Sequence, residues 1–94
     1  MKKLWVSAGI KLLPGKSSVK AAHALLELMK KTQLEPGCIQ FEIYQHLENP
    51  DCFTLWECWN DKAALQEHLA LEHTQEYFRH DYTELRYLEK MKSL

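Results

Sequence analysis

The chain has 94 residues, of which 46% are apolar and 27% are charged, and its formal net charge is −1 at pH 7. This length predicts one domain over residues 1–94 with a single hydrophobic core. The scattered lysines and arginines argue against a nucleic-acid-binding surface, and no apolar stretch is long enough to span a bilayer. The N-terminus lacks the apolar segment of a secretory signal, so we expect a cytoplasmic protein.

A strand and a helix are predicted first. Apolar residues alternate with others over residues 4–13, and Pro14-Gly15 ends this strand. Ser17 or Ser18 is expected to cap the next helix, because either hydroxyl can accept a hydrogen bond from its first free N–H groups. The apolar stripe of this helix is expected to consist of Val19, Ala22, Leu25, Leu26 and Met29. The helix should end before Glu35-Pro36-Gly37, because proline disfavours a helical residue before it.

Two further strands are predicted to form a hairpin. The inward-facing residues of the first strand are expected to be Ile39, Phe41 and Ile43. Asn49-Pro50-Asp51 supplies the turn. The inward-facing residues of the second strand are expected to be Phe53, Leu55, Glu57 and Trp59.

A second helix and a fourth strand complete the predicted elements. Asn60 or Asp61 caps the helix, which continues after a kink through residues 74–78. Over residues 82–91 a weak alternation predicts a strand with Leu85 and Tyr87 on one face and Leu88 on the other. The order β-α-β-β-α-β predicts a ferredoxin-like α+β fold with a four-stranded antiparallel sheet.

Both faces of this sheet are expected to carry apolar groups. The helices cover one face, and the other is expected to present Trp5, Leu13, Cys38, Tyr44, Trp56 and Cys58. Exposed apolar patches of this kind are uncommon on monomers, so we expect two sheets to pack face to face in a homodimer.

Cysteine usage indicates a reducing compartment. Cys38, Cys52 and Cys58 cannot all pair with one another, and they form no C-x-x-C motif. We therefore expect three reduced thiols with structural roles.

Three segments of the chain resemble the antibiotic biosynthesis monooxygenase family, which includes quinol monooxygenase-like proteins. Residues 35–44 resemble the family's "EPG" turn and the strand after it, and residues 53–59 resemble its third strand, with an E-x-W signature at Glu57 and Trp59. Residues 61–69 resemble the second helix, which carries His68 and is followed by His73. The resemblance extends from about residue 4 to residue 88 in order and spacing.

This resemblance implies a dimeric α/β barrel with a small cavity between the sheet and the helices of each subunit. Some relatives oxidise quinols or polycyclic phenols with molecular oxygen as the co-substrate and with no cofactor. Others isomerise phosphorylated quorum-signal sugars or degrade haem, so the family fixes the scaffold rather than the chemistry. The residues expected of the haem-degrading branch are absent from this sequence, and we expect no haem.

His68 and His73 are the candidate catalytic residues. Neutral imidazole can take a phenolic proton near pH 7, and a helix break near Leu71-Glu72 would bring both rings to the mouth of the cavity. The alternative interpretation makes His68 a hydrogen-bonded core residue and His73 a surface residue. The spacing differs from H-x-x-x-H, and no carboxylate or thiol cluster is evident beside it, so we expect no metal site.

Aromatic residues are the candidates for binding a flat, apolar or aromatic substrate. Trp59 is the first candidate, followed by Trp56, Tyr44 and Phe78, although core packing explains such residues equally well. Glu57 is expected to face inward, where a carboxylate must be paired or must have a raised pKa.

Three functions are compatible with these residues. The leading hypothesis is a cofactor-independent monooxygenase that oxidises a quinol or phenolic compound. A sugar-phosphate isomerase would need a cation to hold the phosphate, for which Arg79 and Arg86 are the candidates. The third hypothesis is a stress-related dimer that binds an apolar metabolite without converting it.

Overall fold

A computed structural model describes residues 3–94, which form four strands and three helices. The elements in chain order are β1 (Leu4–Leu12), α1 (Ser18–Thr32), β2 (Cys38–Gln45), β3 (Cys52–Trp59), α2 (Lys62–Ala70), α3 (Glu72–His80) and β4 (Thr83–Met91). The strands form one antiparallel sheet in the order β2-β3-β1-β4. This confirms the predicted ferredoxin-like α+β fold. No helix within residues 3–94 has the length and apolar character needed to cross a membrane.

The predicted helix caps are present. Ser17 accepts a hydrogen bond from the backbone N–H of Lys20, and Asp61 accepts one from that of Ala64. The predicted kink after α2 is a complete break, because Leu71 has an extended backbone with φ −70° and ψ 150°. The chain therefore starts a new helix, α3, in a different direction.

The predicted apolar stripe of α1 was correct for Leu25, which is buried, and for Ala22 and Met29, which pack against the core, but it was wrong for Val19 and Leu26. The buried residues are Ala21, Leu25, Leu28 and Thr32. Val19 is 65% exposed and Leu26 is 44% exposed. The apolar run over residues 21–26 supports two overlapping stripes, and packing against the sheet and α3 selects one of them.

A bulge at the start of β2 reverses part of the predicted alternation. Cys38 pairs with Trp59 and Gln40 pairs with Cys58, which leaves Ile39 without a partner in the ladder. Ile39 is consequently 45% exposed, whereas Cys38 packs against the core. The predictions that Ile39 faces inward and that Cys38 lies on the outer face were therefore wrong.

A second bulge changes the faces of β4. Gly9 pairs with Tyr87 and Ile10 pairs with Leu85, so Arg86 is the extra residue. Leu85 and Leu88 therefore share the helix-covered face, and Tyr87 lies on the outer face, contrary to the predicted alternation. The ring of Tyr87 lies across Gly9, where an added Cβ would come within 2.3 Å of it, so this position requires glycine.

The outer face of the sheet carries the exposed aromatic residues. Trp5 and Trp56 lie side by side with ring centroids 5.7 Å apart, and Tyr44 is 56% exposed. The three cysteines are free thiols. The helix-covered face holds the two hydrophobic clusters of the core, one around Val6, Phe41 and Trp59 and the other around Ile10, Leu25 and Phe53.

Candidate active site

A cavity of about 550 Å³ lies between the helix-covered face of the sheet and the helices. Its walls are mainly apolar and include Val6, Ile10, Leu28, Leu65, Tyr77 and Leu85. Glu57, His68 and Lys90 contribute polar groups. The size and the small number of polar groups are typical of a small-molecule site.

Glu57 and Lys90 lie at one end of the cavity, whereas Asp81 borders it near the start of β4. Glu57 on β3 is the register partner of Val6 on β1, and Val6 is in turn the partner of Lys90 on β4. Ile10, four residues further along β1, pairs with Phe53 and Leu85. With about 3.3 Å per strand residue, the charged level and this apolar level are roughly 13 Å apart.

His68 is a buried member of this cavity wall, and a carboxylate fixes its orientation. The residue is 4% exposed, and its Nδ1 lies 2.7 Å from Oε2 of Glu35, in the loop after α1. The ring lies against Trp59, with centroids 4.8 Å apart, and against Phe41 at 5.5 Å. Because a carboxylate only accepts hydrogen bonds, Nδ1 carries the proton and Nε2 holds a lone pair.

The other ring nitrogen of His68 is left free. Nε2 forms no hydrogen bond within residues 3–94. In that part of the chain, Thr32 Oγ1 is the fully enclosed side-chain atom that lacks a partner, so Nε2 keeps contact with open space. Since His68 lines the cavity, this lone pair is accessible to a bound molecule.

Burial keeps His68 neutral. Its pKa is lowered from 6.5, chiefly because burial disfavours the imidazolium. The hydrogen bond and negative charge of Glu35 act in the opposite direction, and the nearby His73 lowers the pKa further. A neutral, oriented imidazole is the form that can accept a proton at pH 7.

His73 reaches the same carboxylate from α3. Its Nε2 lies 2.6 Å from Glu35 Oε2, and its side chain is 18% exposed. It borders a separate pocket of about 200 Å³ between α1 and α3 rather than the large cavity. The break at Leu71 thus brings two histidines five residues apart onto one carboxylate.

Glu35 was missed as a site residue in the sequence analysis. It belongs to the "EPG" turn, but no periodic pattern links a loop residue to helices 33 and 38 positions later. Its side chain is 7% exposed, so it is nearly as enclosed as His68. The signal that was available was an acidic residue directly before Pro36 in a turn that resembles the family's motif.

Glu57 is a second buried carboxyl group on the cavity wall. It is 5% exposed, and its Oε1 accepts a hydrogen bond of 2.8 Å from Nε1 of Trp59. Burial raises the pKa of Glu57 from 4.5 to about 7, the Trp59 hydrogen bond opposes this shift, and the charge of Glu35 adds to it. The two alternatives considered for Glu57 therefore occur together: it has a hydrogen-bond partner, and its pKa is raised.

The four aromatic candidates lie in different parts of the structure. Phe78 lines the cavity, while Trp59 is fully buried behind Glu57 and His68 and forms no part of the wall. Trp56 and Tyr44 lie on the outer face, because strand residues of opposite parity point to opposite faces. Trp59 is therefore a packing partner of the polar residues, and Trp56 and Tyr44 do not contact this cavity.

The arginines named for phosphate binding lie elsewhere. Arg79 forms an ion pair with Glu72 on the exposed side of α3. Arg86 sits in the β4 bulge and borders a groove with Lys11 and His46. The cationic side chain on the cavity wall is Lys90, which the sequence analysis had not selected.

Glu35, His68 and His73 are also the residues that could hold a metal ion. Their ligand atoms all lie within 4.8 Å of one another, so the expectation that no carboxylate accompanies the histidines was wrong. Both ring nitrogens, however, contact one oxygen at 2.6 and 2.7 Å, which is hydrogen-bond geometry. The arrangement therefore supports acid–base chemistry directly.

The structure thus combines a ferredoxin-like fold with an apolar cavity whose wall contains an oriented, neutral histidine. The family model for antibiotic biosynthesis monooxygenase matches residues 6–80, and the chain belongs to this family. It is similar to the uncharacterised protein YjcS of Bacillus subtilis (strain 168), with 27% identity over 86 residues that cover 92% of this chain and 82% of YjcS. The solved YjcS structure has a TM-score of 0.90 at 25% identity and covers 98% of this chain and 99% of its own.

Two further solved structures support the same fold. One is an antibiotic biosynthesis monooxygenase, with a TM-score of 0.80, 25% identity and coverage of 97% of this chain and 96% of its own. The other is SnoaB, a cofactor-independent oxygenase from Streptomyces nogalater, with a TM-score of 0.84, 7% identity and coverage of 100% and 95%. At that identity SnoaB shows likeness of fold alone.

Proposed function

We propose that this protein is a cofactor-independent monooxygenase that oxidises a quinol or phenolic compound with molecular oxygen. The observation that carries the proposal is the free Nε2 of His68 on the wall of an apolar cavity, with Nδ1 held by Glu35. The family membership and the oxygenases of the same fold support this class of reaction.

The first step would be proton transfer from the substrate hydroxyl to Nε2 of His68. The carboxylate of Glu35 stabilises the imidazolium that forms, as an acidic residue does beside a general-base histidine. The resulting quinolate is electron-rich and can transfer one electron to oxygen, and the two radicals then combine into a peroxide anion at a ring carbon. This anion takes the proton from Nε2 of His68, which gives the hydroperoxide and returns the imidazole to its neutral form. Loss of water leaves a new carbonyl group.

The reaction balances without an added reductant. For menadiol, the quinol and one oxygen molecule give a hydroxylated naphthoquinone and one water. The ring supplies the electrons that oxygen takes up, so the protein needs to bind, deprotonate and shield the substrate. The apolar walls, with Phe78 at the edge, would exclude water from the anion and its oxygen adduct.

We propose that the active form is a homodimer. The outer face of the sheet exposes aromatic side chains, including Tyr44 at 56% and Tyr87 at 43%. A twin sheet would cover this face, since an exposed patch of this kind is uncommon in monomers. The free thiols suit the reducing cytoplasm that we propose for it.

The isomerase hypothesis receives less support. Neither Arg79 nor Arg86 borders the cavity, and Lys90 is the cation on its wall. The walls are predominantly apolar, whereas a sugar phosphate would need hydrogen-bond partners. A non-catalytic binding dimer would keep the same cavity, and turnover distinguishes it.

Oxygen uptake with menadiol under air tests the proposal. His68→Ala should lower the enzyme-dependent rate by about 10²-fold or more, the usual contribution of a general base. His23→Ala, an exposed histidine on α1, serves as the matched control and should keep the wild-type rate. Equal rates for wild type and His68→Ala, after subtraction of the uncatalysed oxidation, would refute the proposed role.

A further inference from the structure

The cavity contains a second proton-carrying group besides His68. Glu57 faces the helices from β3, between Leu55 and Trp59 on the same face, and borders the cavity. It forms no salt bridge with any residue in the range 3–94. A buried carboxyl group without a cationic partner is costly as an anion, which favours the protonated acid.

The Trp59 hydrogen bond determines which oxygen of Glu57 carries the proton. The indole N–H can only donate, so Oε1, at 2.8 Å, must be an acceptor. The acidic proton therefore belongs on Oε2. Oε2 has no hydrogen-bond partner within residues 3–94 and is not a fully enclosed atom. The acid O–H is thus available to a molecule in the cavity.

The titratable groups that line the cavity or lie near Glu57 come from several elements: Glu35 after α1, Cys38 on β2, His68 on α2, Tyr77 on α3 and Lys90 on β4. Lys90 is the cation among them, and it forms no salt bridge with Glu57. Burial is the largest cause of the raised pKa of Glu57, and the negative charge of Glu35 adds to it. With a pKa of about 7, both forms of Glu57 are populated at neutral pH.

We propose that Glu57 is the acid that protonates the leaving oxygen of the substrate hydroperoxide, while His68 acts as the base. This inference rests on the proposed oxygenase function. It divides the proton transfers between two groups on one cavity wall whose environments favour a neutral imidazole and a neutral carboxylic acid.

The step balances as an elimination of water. In the hydroperoxide, a ring carbon bears both a hydrogen and the O–OH group. Nε2 of His68 removes that hydrogen as a proton, the electron pair forms the C=O bond, and the O–O bond breaks. The departing hydroxide takes the proton of Glu57 and leaves as water. Transfer of the proton from His68 to the Glu57 carboxylate then restores both groups.

Binding of menadione, the quinone of menadiol, tests the protonation of Glu57 without turnover. The acid O–H can donate to a quinone carbonyl, whereas the carboxylate repels it. The dissociation constant of the wild type should rise about tenfold from pH 6 to pH 8.5, equivalent to one net hydrogen bond. Glu57→Gln, which retains an acceptor for Trp59 and a donor for the quinone, should bind with no pH dependence.

A second variant should shift the pH dependence of menadione binding. Trp59→Phe removes the hydrogen bond that opposes the raised pKa of Glu57, so the midpoint of the binding profile should move to higher pH. His68→Ala should keep the wild-type midpoint within experimental error. The inference would be overturned if menadione binding to the wild type were as independent of pH as binding to Glu57→Gln. It would also be overturned if the wild type did not bind menadione at pH 6.

Product analysis with menadiol under air tests the protonation of the leaving oxygen. Wild type should form hydroxylated naphthoquinone, whereas Glu57→Gln should release the hydroperoxide group as hydrogen peroxide and leave menadione. The ratio of peroxide to hydroxylated product should rise at least tenfold, after subtraction of the His68→Ala background. An unchanged ratio would refute the role of Glu57. If the wild type consumes no oxygen, the oxygenase function is refuted, and the protonation of the leaving oxygen is refuted with it. The menadione-binding experiment does not depend on turnover and would still show whether Glu57 is protonated.

Discussion

The two ends of the cavity are built on the same sheet face but have different chemistry. At one end, the hydrophobic cluster that contains Val6, Phe41 and Trp59 encloses polar groups, namely Glu57 and His68. At the other end, Ile10 and Phe53 belong to a cluster that is apolar apart from the Tyr77 hydroxyl, which bonds to Thr83.

In the proposed oxygenase, this difference would separate substrate binding from chemistry. The apolar end can hold a ring system through contact area, but it lacks the buried imidazole and carboxyl group of the charged end. The charged end positions proton-transfer groups and isolates them from water, which shifts the pKa values of His68 and Glu57. Substitutions at the two ends should therefore change different kinetic constants.

The largest effect is expected for Glu35→Gln at the charged end. The amide can no longer stabilise protonated His68, so kcat should fall by about 10²-fold with little change in KM. Because the charge of Glu35 raises the pKa of His68, the acidic limb of the pH–rate profile should also move to lower pH. A rate loss without this shift, measured between pH 4.5 and 8, would indicate a purely structural role.

Glu57→Gln should change how stability depends on pH. The folded-state pKa of Glu57 lies above its unfolded value, so the folded chain binds this proton more tightly and wild-type stability falls as pH rises from 4.5 to about 7. The stability of Glu57→Gln relative to wild type should increase by about 2–3 kcal/mol between pH 5 and pH 8. Urea unfolding at both pH values measures this difference, and the contribution of His68 cancels in the comparison.

A smaller effect is expected for Leu85→Ala at the apolar end. Leu85 borders the cavity but is 60% exposed, so its loss removes substrate contact without opening a hole in the core. KM should rise severalfold, about 1 kcal/mol, while kcat stays unchanged. Leu47→Ala, in the hairpin loop and 97% exposed, is the matched control. A fall in kcat with unchanged KM would contradict the separation of the two ends.

The smallest effect is expected from metal removal. His68 and His73 each contact Glu35 at hydrogen-bond distance, so dialysis against EDTA should leave the rate and Tm unchanged. A reproducible loss of activity that returns with one divalent metal would show that the three residues bind an ion instead.

Local pattern was sufficient to predict the secondary structure and most of the faces. Alternation places Val6, Phe53 and Trp59 inside, and the hydroxyl of Ser17 and the carboxylate of Asp61 mark the helix starts. These features depend on residues close in sequence, which is why the order of elements and the fold were correct. The same alternation had indicated that Trp56 and Tyr44 face away from Trp59, although they remained candidates for substrate binding.

The wrong predictions of side-chain orientation concern places where the regular pattern of apolar residues is ambiguous or is interrupted by one residue. The bulges at Ile39 and Arg86 each shift a strand by one position, and nothing in the apolar pattern signals them. On α1, two overlapping stripes fit the same residues, and only contact with the sheet and α3 distinguishes them. In each case a small local change moves several side chains to another face.

The sequence by itself determined the elements, their order and the two histidines as candidates, because spacing and capping are properties of neighbouring residues. Only the tertiary structure brought the carboxylate of Glu35 to His68 and His73 and placed Glu57 on the same cavity wall as His68. The physical reason is that a hydrogen bond between a loop and two helices depends on how the elements pack, and no periodicity along the chain records it.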